Sequence, residues 1–136
     1  DEEIDGKKLK VVTKTKPTAS QMKQMKIAWS FIGRIRSNTI LIIDKNLPMT
    51  RGIGSGQTSR IRATKIALDQ AGKNTKDAIL ASDSFFPFAD SVKLSVKAGI
   101  SAIVQQGGSV NDQASIDEAN KAKIPMVFTG ERKFWH

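Results

Sequence analysis

The stretch TILII at residues 39–43 decides the fold of this chain. It is a continuous, largely β-branched apolar run, which is typical of a strand covered on both faces. Further short runs of this kind alternate with segments whose apolar residues recur at three- and four-residue spacing, the pattern of a helix. The predicted strands are 9–13, 39–43, 78–81, 101–105 and 125–128, and the predicted helices are 18–36, 59–71, 90–98 and 111–122. This alternation predicts an α/β fold, a layered sheet with flanking helices.

The size and charge of the chain limit its class. Its 136 residues suit one domain, with residues 1–8 expected to be a flexible N-terminal segment and residues 9–136 the folded part. Lys and Arg total 22 against 13 Asp and Glu, a net charge of +9. Such a surplus attracts anions, among them nucleic acids, nucleotides, sugar phosphates and polycarboxylates. Charge alone does not choose among these partners.

Several classes of site and location are disfavoured by what the sequence lacks. With no cysteine, the chain has no disulfide, no Cys-ligated zinc and no thiol nucleophile. His136 is the single histidine, so neither a His-based metal site nor a Ser-His-Asp triad is available. No apolar run approaches the ~20 residues that span a bilayer, and no signal peptide opens the sequence. We therefore expect a cytoplasmic protein with no membrane partner.

The segment GIGSGQTSR at residues 52–60 follows a predicted polar loop at 44–50. Its alternate glycines indicate a backbone that bends sharply or approaches another group closely, and a Gly-rich turn before a helix can also hold an anion. Arg60 stands at the predicted helix start, where its planar fork suits a carboxamide or phosphate oxygen. We expect it to point into a site rather than the core, so that its loss costs turnover more than stability. The alternative is a solvated surface charge.

Two further loops follow predicted strands. SDSFFPFAD at residues 82–90 concentrates three phenylalanines, of which one ring could face a flat heterocycle while Asp90 accepts hydrogen bonds from ring nitrogens. The alternatives are core phenylalanines and a helix-capping Asp90. Asp83 could cap a turn or help to hold a cation. QGGS at 106–109 could be an anion-binding nest or an ordinary turn.

Several segments together resemble one known family. They are VVTKTKPT at 11–18, SN at 37–38, GIGSGQTSR at 52–60, SDSFFPF at 82–88, GGS at 107–109 and the Arg132, Phe134 and His136 of the ending. In this order they resemble the carboxy-terminal part of the bifunctional purine biosynthesis family. That family joins an aminoimidazole carboxamide ribonucleotide (AICAR) transformylase to an inosine monophosphate (IMP) cyclohydrolase. The resemblance covers nearly all of residues 8–136.

The resemblance implies a fold, a reaction and partners. The fold would be a cytidine-deaminase-like subdomain without the zinc ligands, the second of two in the transformylase. The reaction would move a formyl group from the cosubstrate 10-formyltetrahydrofolate to AICAR, with no catalytic metal and with a possible structural potassium near Asp83. The partners would be the upstream transformylase subdomain and a second copy in a homodimer. The catalytic Lys-His pair of the family would lie in that upstream subdomain, and no Lys-His dipeptide occurs here.

The resemblance also implies roles for individual residues. Four residues would bind the nucleotide: Asn38 and Arg60 at the carboxamide, Phe85 at the base, and Arg132. Four others would bind the folate: Ile61, Asp90, Ser109 and Val110. No catalytic residue is expected in this chain, and the role of His136 is open.

Two other classes stay open beside this one. A metal-dependent deaminase relative is opposed by the missing cysteines. A basic nucleotide- or nucleic-acid-binding module without catalysis agrees with the net charge of +9. Against nucleic acid, no aromatic residues alternate with basic ones along a predicted strand, and no nucleic-acid-binding motif is present.

Overall fold

The computed structural model describes residues 3–4 and 7–130, with side chains from residue 9 onward. Eight strands and four α-helices occur in this part of the chain. The strands are β1 (Glu3–Ile4), β2 (Lys7–Lys8), β3 (Lys10–Val11), β4 (Ile40–Ile43), β5 (Thr50–Gly54), β6 (Ile79–Ser82), β7 (Ala102–Gln105) and β8 (Met126–Phe128). The helices are α1 (Ala19–Ile32), α2 (Arg60–Ala71), α3 (Asp90–Ala98) and α4 (Asp112–Lys121).

Six of the strands form one mixed sheet, in the order β3-β8-β7-β6-β4-β5. The adjacent strands β6, β7 and β8 in its interior are parallel. Strand β4 runs antiparallel to β6, with Ile40 opposite Ser82. The start of β4 therefore lies at the same edge of the sheet as the carboxyl ends of the parallel strands. Residues just before Ile40 and just after Ser82 meet there, and this meeting positions the candidate site.

Alternate side chains of the strands pack into two apolar layers. Leu41 and Ile43 of β4 face α1, where they meet Trp29 and Met25. Ile40 and Ile42 face the opposite layer, which contains α2, α3 and α4. All four β4 side chains are fully buried. The prediction that residues 39–43 form a strand covered on both faces is confirmed, and with it the α/β class.

Strand β5 was not predicted. Residues 44–50 were expected to be a polar loop leading into a Gly-rich turn, but Thr50–Gly54 pairs with β4 at the edge of the sheet. An added Cβ on Gly52 would overlap the carbonyl oxygen of Ala67, and one on Gly54 would overlap that of Ala63. The two glycines therefore let helix α2 lie directly against β5, so close approach is the correct interpretation of the segment.

Helix α1 is shorter than the predicted 18–36. Thr18 is its N-cap, and its side chain accepts from the Gln21 backbone N–H while the Gln21 side chain accepts from the Thr18 backbone N–H. This capping box satisfies two amide donors that the helix leaves free. The helix ends at the C-cap Gly33, although the apolar spacing continues to Ile35, which packs against the core.

The first and last parts of the described chain meet in the sheet. Strand β3 pairs antiparallel with β8, with Lys10 opposite Phe128. Thr13 Oγ1 accepts a hydrogen bond of 2.9 Å from the Met126 N–H, across a sequence separation of 113 residues. Residues 3–4 and 7–8 pair with each other outside this sheet. The flexibility of residues 1–8 and the division at residue 9 stay predictions. None of the helices in the described part is long and apolar enough to cross a membrane.

Candidate functional site

A cavity of about 470 Å³ opens at the sheet edge where β6 ends and α2 begins. Five residues singled out from the sequence line it together: Asn38, Arg60, Ile61, Phe85 and Asp90. They come from the approach to β4, the first turn of α2, the loop after β6 and the start of α3. The other lining residues are Thr58, Ser59, Ser84, Pro87 and Phe88. Part of the wall is apolar and aromatic, and part is polar and cationic, a combination suited to a polar ring compound.

Arg60 lies at the base of this cavity and is only 7% exposed. Its Nη1 donates to the Asp83 carboxylate and, at 3.0 Å, to the Thr39 carbonyl. Its Nη2 donates at 3.0 Å to Oδ1 of Asn38. The interpretation of Arg60 as a solvated surface charge is therefore wrong. The guanidinium is held in one orientation by three different groups, one of which belongs to the cavity wall.

Asp83 is completely buried beneath Arg60. Its Oδ1 accepts from Arg60 and, at 3.2 Å, from the Thr39 backbone N–H. Its Oδ2 accepts from the Ser37 hydroxyl at 2.6 Å. Both carboxylate oxygens thus have donors within the chain, as a buried charge requires. A monovalent cation near Asp83 stays a prediction. Residues 9–130 contain no group of three or more His, Cys, Asp or Glu side chains that could hold a metal ion.

The three phenylalanines of the loop after β6 have different environments. Phe86 is fully buried in the core, Phe85 is half-buried at the cavity, and Phe88 is 62% exposed at its rim. The loop is held by the Phe86 N–H, which donates to Gln105 Oε1 at 3.1 Å. The Ser84 hydroxyl also donates to Gln106 Oε1 at 3.1 Å. The core interpretation is correct for Phe86, and Phe85 is placed where a ring could face a ligand.

Asp90 is the first residue of α3 and is exposed at the cavity. Its carboxylate accepts from the backbone N–H of Ser91 at 2.8 Å. The N-cap position is occupied by Ala89, so Asp90 is not the capping residue. A carboxylate in the first turn is favoured by the helix dipole. Its position therefore agrees better with a ligand-facing acceptor than with a cap.

The glycine loop at residues 107–109 holds an anion that belongs to the chain itself. The backbone N–H groups of Gly108 and Ser109 donate to the two carboxylate oxygens of Asp112, at 2.7 and 3.0 Å. The amides proposed as a nest for an external anion are thus taken by the first residue of α4. Gly107 and Gly108, with φ of 78° and 102°, adopt the left-handed backbone that favours glycine.

Ser109 and Val110 do not line the cavity that holds the other predicted residues. Val110 is 99% exposed. Their loop nevertheless adjoins the aromatic loop, because Asn111 Nδ2 donates to the Pro87 carbonyl at 2.7 Å. A second cavity of about 420 Å³ lies at the ends of β7 and β8, lined by residues that include Gln106, Gly107 and Thr129. Arg132 and His136 lie outside the described residues.

Ser37, Thr39 and Gln105 were missed from the sequence although they hold the site residues in place. They lie at strand ends, next to Ile40 or at the end of β7. Their position at the ends of predicted strands was the available signal. Their partners are distant in sequence, however. The antiparallel pairing of β4 with β6 brings Ser37 and Thr39 to Asp83, and the parallel pairing of β6 with β7 brings Gln105 to the loop after β6.

A second aspartate–arginine pair lies at the other end of the strands, where β4 ends. Arg51 Nε donates to Asp44 Oδ1 at 2.9 Å. Asp44 Oδ2 accepts from the backbone N–H groups of Asn46 and Leu47, at 2.9 and 2.8 Å. These backbone hydrogen bonds, and then Arg51, lower the pKa of the Asp44 carboxyl below its ordinary value despite partial burial, which opposes the shift. The pair shapes the turn between β4 and β5.

Comparison with known proteins gives a consistent family. The family model described as AICARFT/IMPCHase bienzyme matches residues 1–70. The bifunctional purine biosynthesis protein PurH of Lysinibacillus sphaericus is 48% identical over 128 residues, which are 94% of this chain and 25% of that protein. The PurH of Streptococcus gordonii is 49% identical over 126 residues, 93% of this chain and 24% of that protein. The chain thus spans about a quarter of the length of these relatives.

Among solved structures, RibD of Acinetobacter baumannii shares the fold. Its form 2 has a TM-score of 0.51 and 14% sequence identity, over 80% of this chain and 34% of the other. Its form 1 has a TM-score of 0.53 and 15% identity, over 77% of this chain and 33% of the other. At such low identity the likeness concerns the fold alone.

Proposed function

Because the chain belongs to the AICARFT/IMPCHase bienzyme family, we propose that it forms part of an enzyme of purine biosynthesis that formylates AICAR. The formyl donor is 10-formyltetrahydrofolate, and the parent protein is also an IMP cyclohydrolase. Residues 9–136 act as the second, cytidine-deaminase-like subdomain of the transformylase, without zinc ligands. The family supports the reaction class, and the cavity supports the assignment of binding to this chain.

The observation that carries the proposal is the meeting of five sequence-selected residues in one cavity. Asn38, Arg60, Ile61, Phe85 and Asp90 lie up to 52 positions apart, yet they line the same 470 Å³ space. In the proposal Asn38 and Arg60 bind the carboxamide, Phe85 contacts the base, and Arg132 binds the nucleotide as well. Ile61, Asp90, Ser109 and Val110 bind the folate.

The chemistry of formyl transfer needs two substrates held in one geometry. The 5-amino nitrogen of AICAR attacks the formyl carbon, and the bond from that carbon to N10 of the folate breaks. The attacking nitrogen loses one proton and N10 gains one, so that tetrahydrofolate leaves. An aromatic amine is a weak nucleophile, so alignment of the two substrates supplies much of the rate. In the proposal Asn38 and Arg60 hold the carboxamide beside that amine, while Asp90 accepts from N–H groups of the pterin.

Proton transfer lies outside this chain in the proposal. The Lys-His pair belongs to the upstream subdomain, and the sequence has no such dipeptide. We therefore propose that the chain by itself is inactive and works with that subdomain in a cytoplasmic homodimer. A structural potassium near Asp83 completes the proposal. Measurable formyl transfer by the purified 136-residue chain would contradict the assignment of catalysis to the upstream part.

The binding test uses calorimetric titration of the chain with AICAR. We expect binding that Asn38→Ala weakens about tenfold, the effect of one lost hydrogen bond to a ligand. Asn46→Ala is the matched control, because Asn46 is exposed at the opposite sheet edge and uses only its backbone N–H there. Equal affinities of the two variants would remove the carboxamide role of Asn38.

The alternative function is a basic nucleotide- or nucleic-acid-binding module without catalysis, which the net charge of +9 favours. Titration with a DNA and an RNA oligomer at two salt concentrations separates the two. The affinity for a nucleic acid falls by a factor of about 10³ to 10⁵ between 50 and 200 mM salt when the protein contacts six to ten phosphates. Tight, strongly salt-dependent oligomer binding with no AICAR binding would favour the alternative.

The folate role of Asp90 is tested in the full-length family enzyme with this chain as its carboxy-terminal part. Asp90→Asn replaces one acceptor oxygen by a donor, which would face a pterin donor. We expect a large rise in KM for 10-formyltetrahydrofolate and little change for AICAR. Asn keeps an oxygen that can accept from the Ser91 N–H, so unchanged folate kinetics would indicate a purely structural Asp90.

A further inference from the structure

The orientation of the Asn38 amide follows from the chemistry of Arg60. A guanidinium only donates hydrogen bonds, so the Asn38 atom that lies 3.0 Å from Arg60 Nη2 must be the oxygen Oδ1. The Nδ2 group, with its two donors, hydrogen bonds to none of residues 9–130. Asn38 lines the cavity, and its backbone is held by paired contacts with Gln57 of 3.2 and 3.4 Å. Its Nδ2 is therefore the atom offered to a ligand.

This orientation depends on groups behind Arg60 that do not line the cavity. Asp83 accepts from Nη1 and is itself fixed by the Ser37 hydroxyl at 2.6 Å and the Thr39 N–H at 3.2 Å. The Thr39 carbonyl accepts from the same Nη1. The guanidinium plane is set by these contacts, and Nη2 is directed at Asn38 as a result. Without the Asp83 carboxylate, the Arg60 guanidinium could rotate. The side-chain amide of Asn38 could then exchange the positions of its oxygen and nitrogen.

We propose that Asp83 is a positioning residue that fixes Arg60 and, through it, Asn38, so that this corner of the cavity presents only N–H donors. Such a corner selects a ligand group with a carbonyl-type oxygen and rejects one that carries donors alone. The inference rests on the proposed function only in taking the carboxamide of AICAR as that group. Asp83 and Ser37 then determine specificity without touching the ligand.

The test compares AICAR with its 4-carboxamidine analogue, which replaces the carbonyl oxygen by a nitrogen donor. For the unaltered chain we expect AICAR to bind about 100-fold more tightly than the amidine. The N–H donors of Asn38 and Arg60 would face N–H donors of the amidine, with no acceptor between them. In Asp83→Asn we expect this ratio to fall to about threefold, as the amide can then turn. In Ser37→Ala, which keeps the ion pair, we expect a smaller fall in the same direction. Asp69→Asn removes an exposed carboxylate from α2 and is expected to leave the ratio unchanged.

A merely structural Asp83 gives a different result. Its replacement would lower Tm and weaken both ligands equally, with the ratio preserved, and that outcome overturns the proposal. If Asp83→Asn does not fold, Ser37→Ala decides, because it removes one hydrogen bond and leaves the ion pair in place. An unchanged ratio in folded Ser37→Ala together with a retained ratio in any folded Asp83 variant would remove the positioning role.

A measurement without ligand separates this inference from the proposed function. If the unaltered chain binds neither compound, the assignment of AICAR to this site fails, and the orientation is examined by NMR of the Arg60 side chain. Distinct, slowly exchanging Nη signals in the unaltered chain, which merge in Ser37→Ala, would support the fixed fork. Merged signals in the unaltered chain would overturn it.

Discussion

Two aspartate–arginine pairs lie at opposite edges of the same sheet, one after β6 and one after β4. In the Arg60–Asp83 pair the side chains are 6% and 0% exposed, whereas in the Arg51–Asp44 pair they are 26% and 12% exposed. The buried pair takes its other partners from residues 37–39, so it joins three segments of the chain, and Arg60 lines a cavity. The more exposed pair closes a short turn. Burial therefore separates a pair that organises a site from one that shapes a loop.

The largest expected effect is that of Arg60→Ala on stability. Removal of Arg60 leaves the Asp83 carboxylate buried without its cation, which costs about 3–5 kcal/mol of unfolding free energy. Urea denaturation measures this, and the same variant should lose AICAR binding. A loss below about 1 kcal/mol, the range of surface pairs, would remove the distinction between the two pairs.

Gly54→Ala tests the packing that places Arg60. An added Cβ would overlap the Ala63 carbonyl oxygen, so α2 would have to move away from β5 together with its first residue, Arg60. We expect a loss of about 1–3 kcal/mol, the usual cost of overpacking. Thr50→Ala, at an exposed position of the same strand, is the control and should stay within about 0.5 kcal/mol. Similar losses for both would mean that the close contact is not needed.

The Arg51–Asp44 pair should make a pH-dependent contribution to stability at the acid end. The pKa of Asp44 is lower in the folded chain than its ordinary value of 3.8. Its contribution is thus complete above the unfolded pKa and is lost as pH falls through the folded pKa. Asp44→Asn should cost about 1–2 kcal/mol at neutral pH, through weaker hydrogen bonds from Asn46 and Leu47. Urea titrations from about pH 5 to pH 2 should show a flatter acid slope for this variant.

The smallest effect is expected for Arg51→Ala. Arg51 adds one partly exposed ion pair to a carboxylate that two backbone N–H groups already hold. We expect a loss of about 0.2–1 kcal/mol, reduced further by added salt. A loss equal to that of Arg60→Ala, measured under the same conditions, would show that burial does not separate the pairs.

The sequence predicted the sheet and the helices well, because buried strands such as residues 39–43 carry a continuous apolar run. It did not predict β5, in which glycines at positions 52 and 54 weaken the strand pattern. Their reason is the close contact with α2, and such a contact between distant residues leaves no local signal. Helix α1 was placed too long because apolar spacing continues past Gly33.

The residues that line the candidate site could be selected from the sequence, whereas the hydrogen bonds that join them could not. Asn38, Arg60, Ile61, Phe85 and Asp90 were selected by resemblance and by their loops, and they do line one cavity. The burial of Arg60 on Asp83 was not foreseen, since the pairing of β4 with β6 creates it. For this reason the expectation that loss of Arg60 would largely spare stability is replaced by the prediction above. Ser109 and Val110 remain predictions outside that cavity.

The pairing of β3 with β8 has a consequence for the order in which the chain folds. Thr13 and Met126 are joined across 113 residues, and Lys14 N–H reaches Asn120 Oδ1 across 106. The entropic cost of closing a loop rises with its length, by about 0.6 kcal/mol for each doubling. The contacts of β3 with β8 close the longest loop while the intervening residues are unfolded and a shorter one once they are folded. We expect the β4–β6–β7 centre to form first and β3 to dock last. The amides of β3 should then exchange with solvent earliest among the sheet strands, because they open without unfolding of the rest.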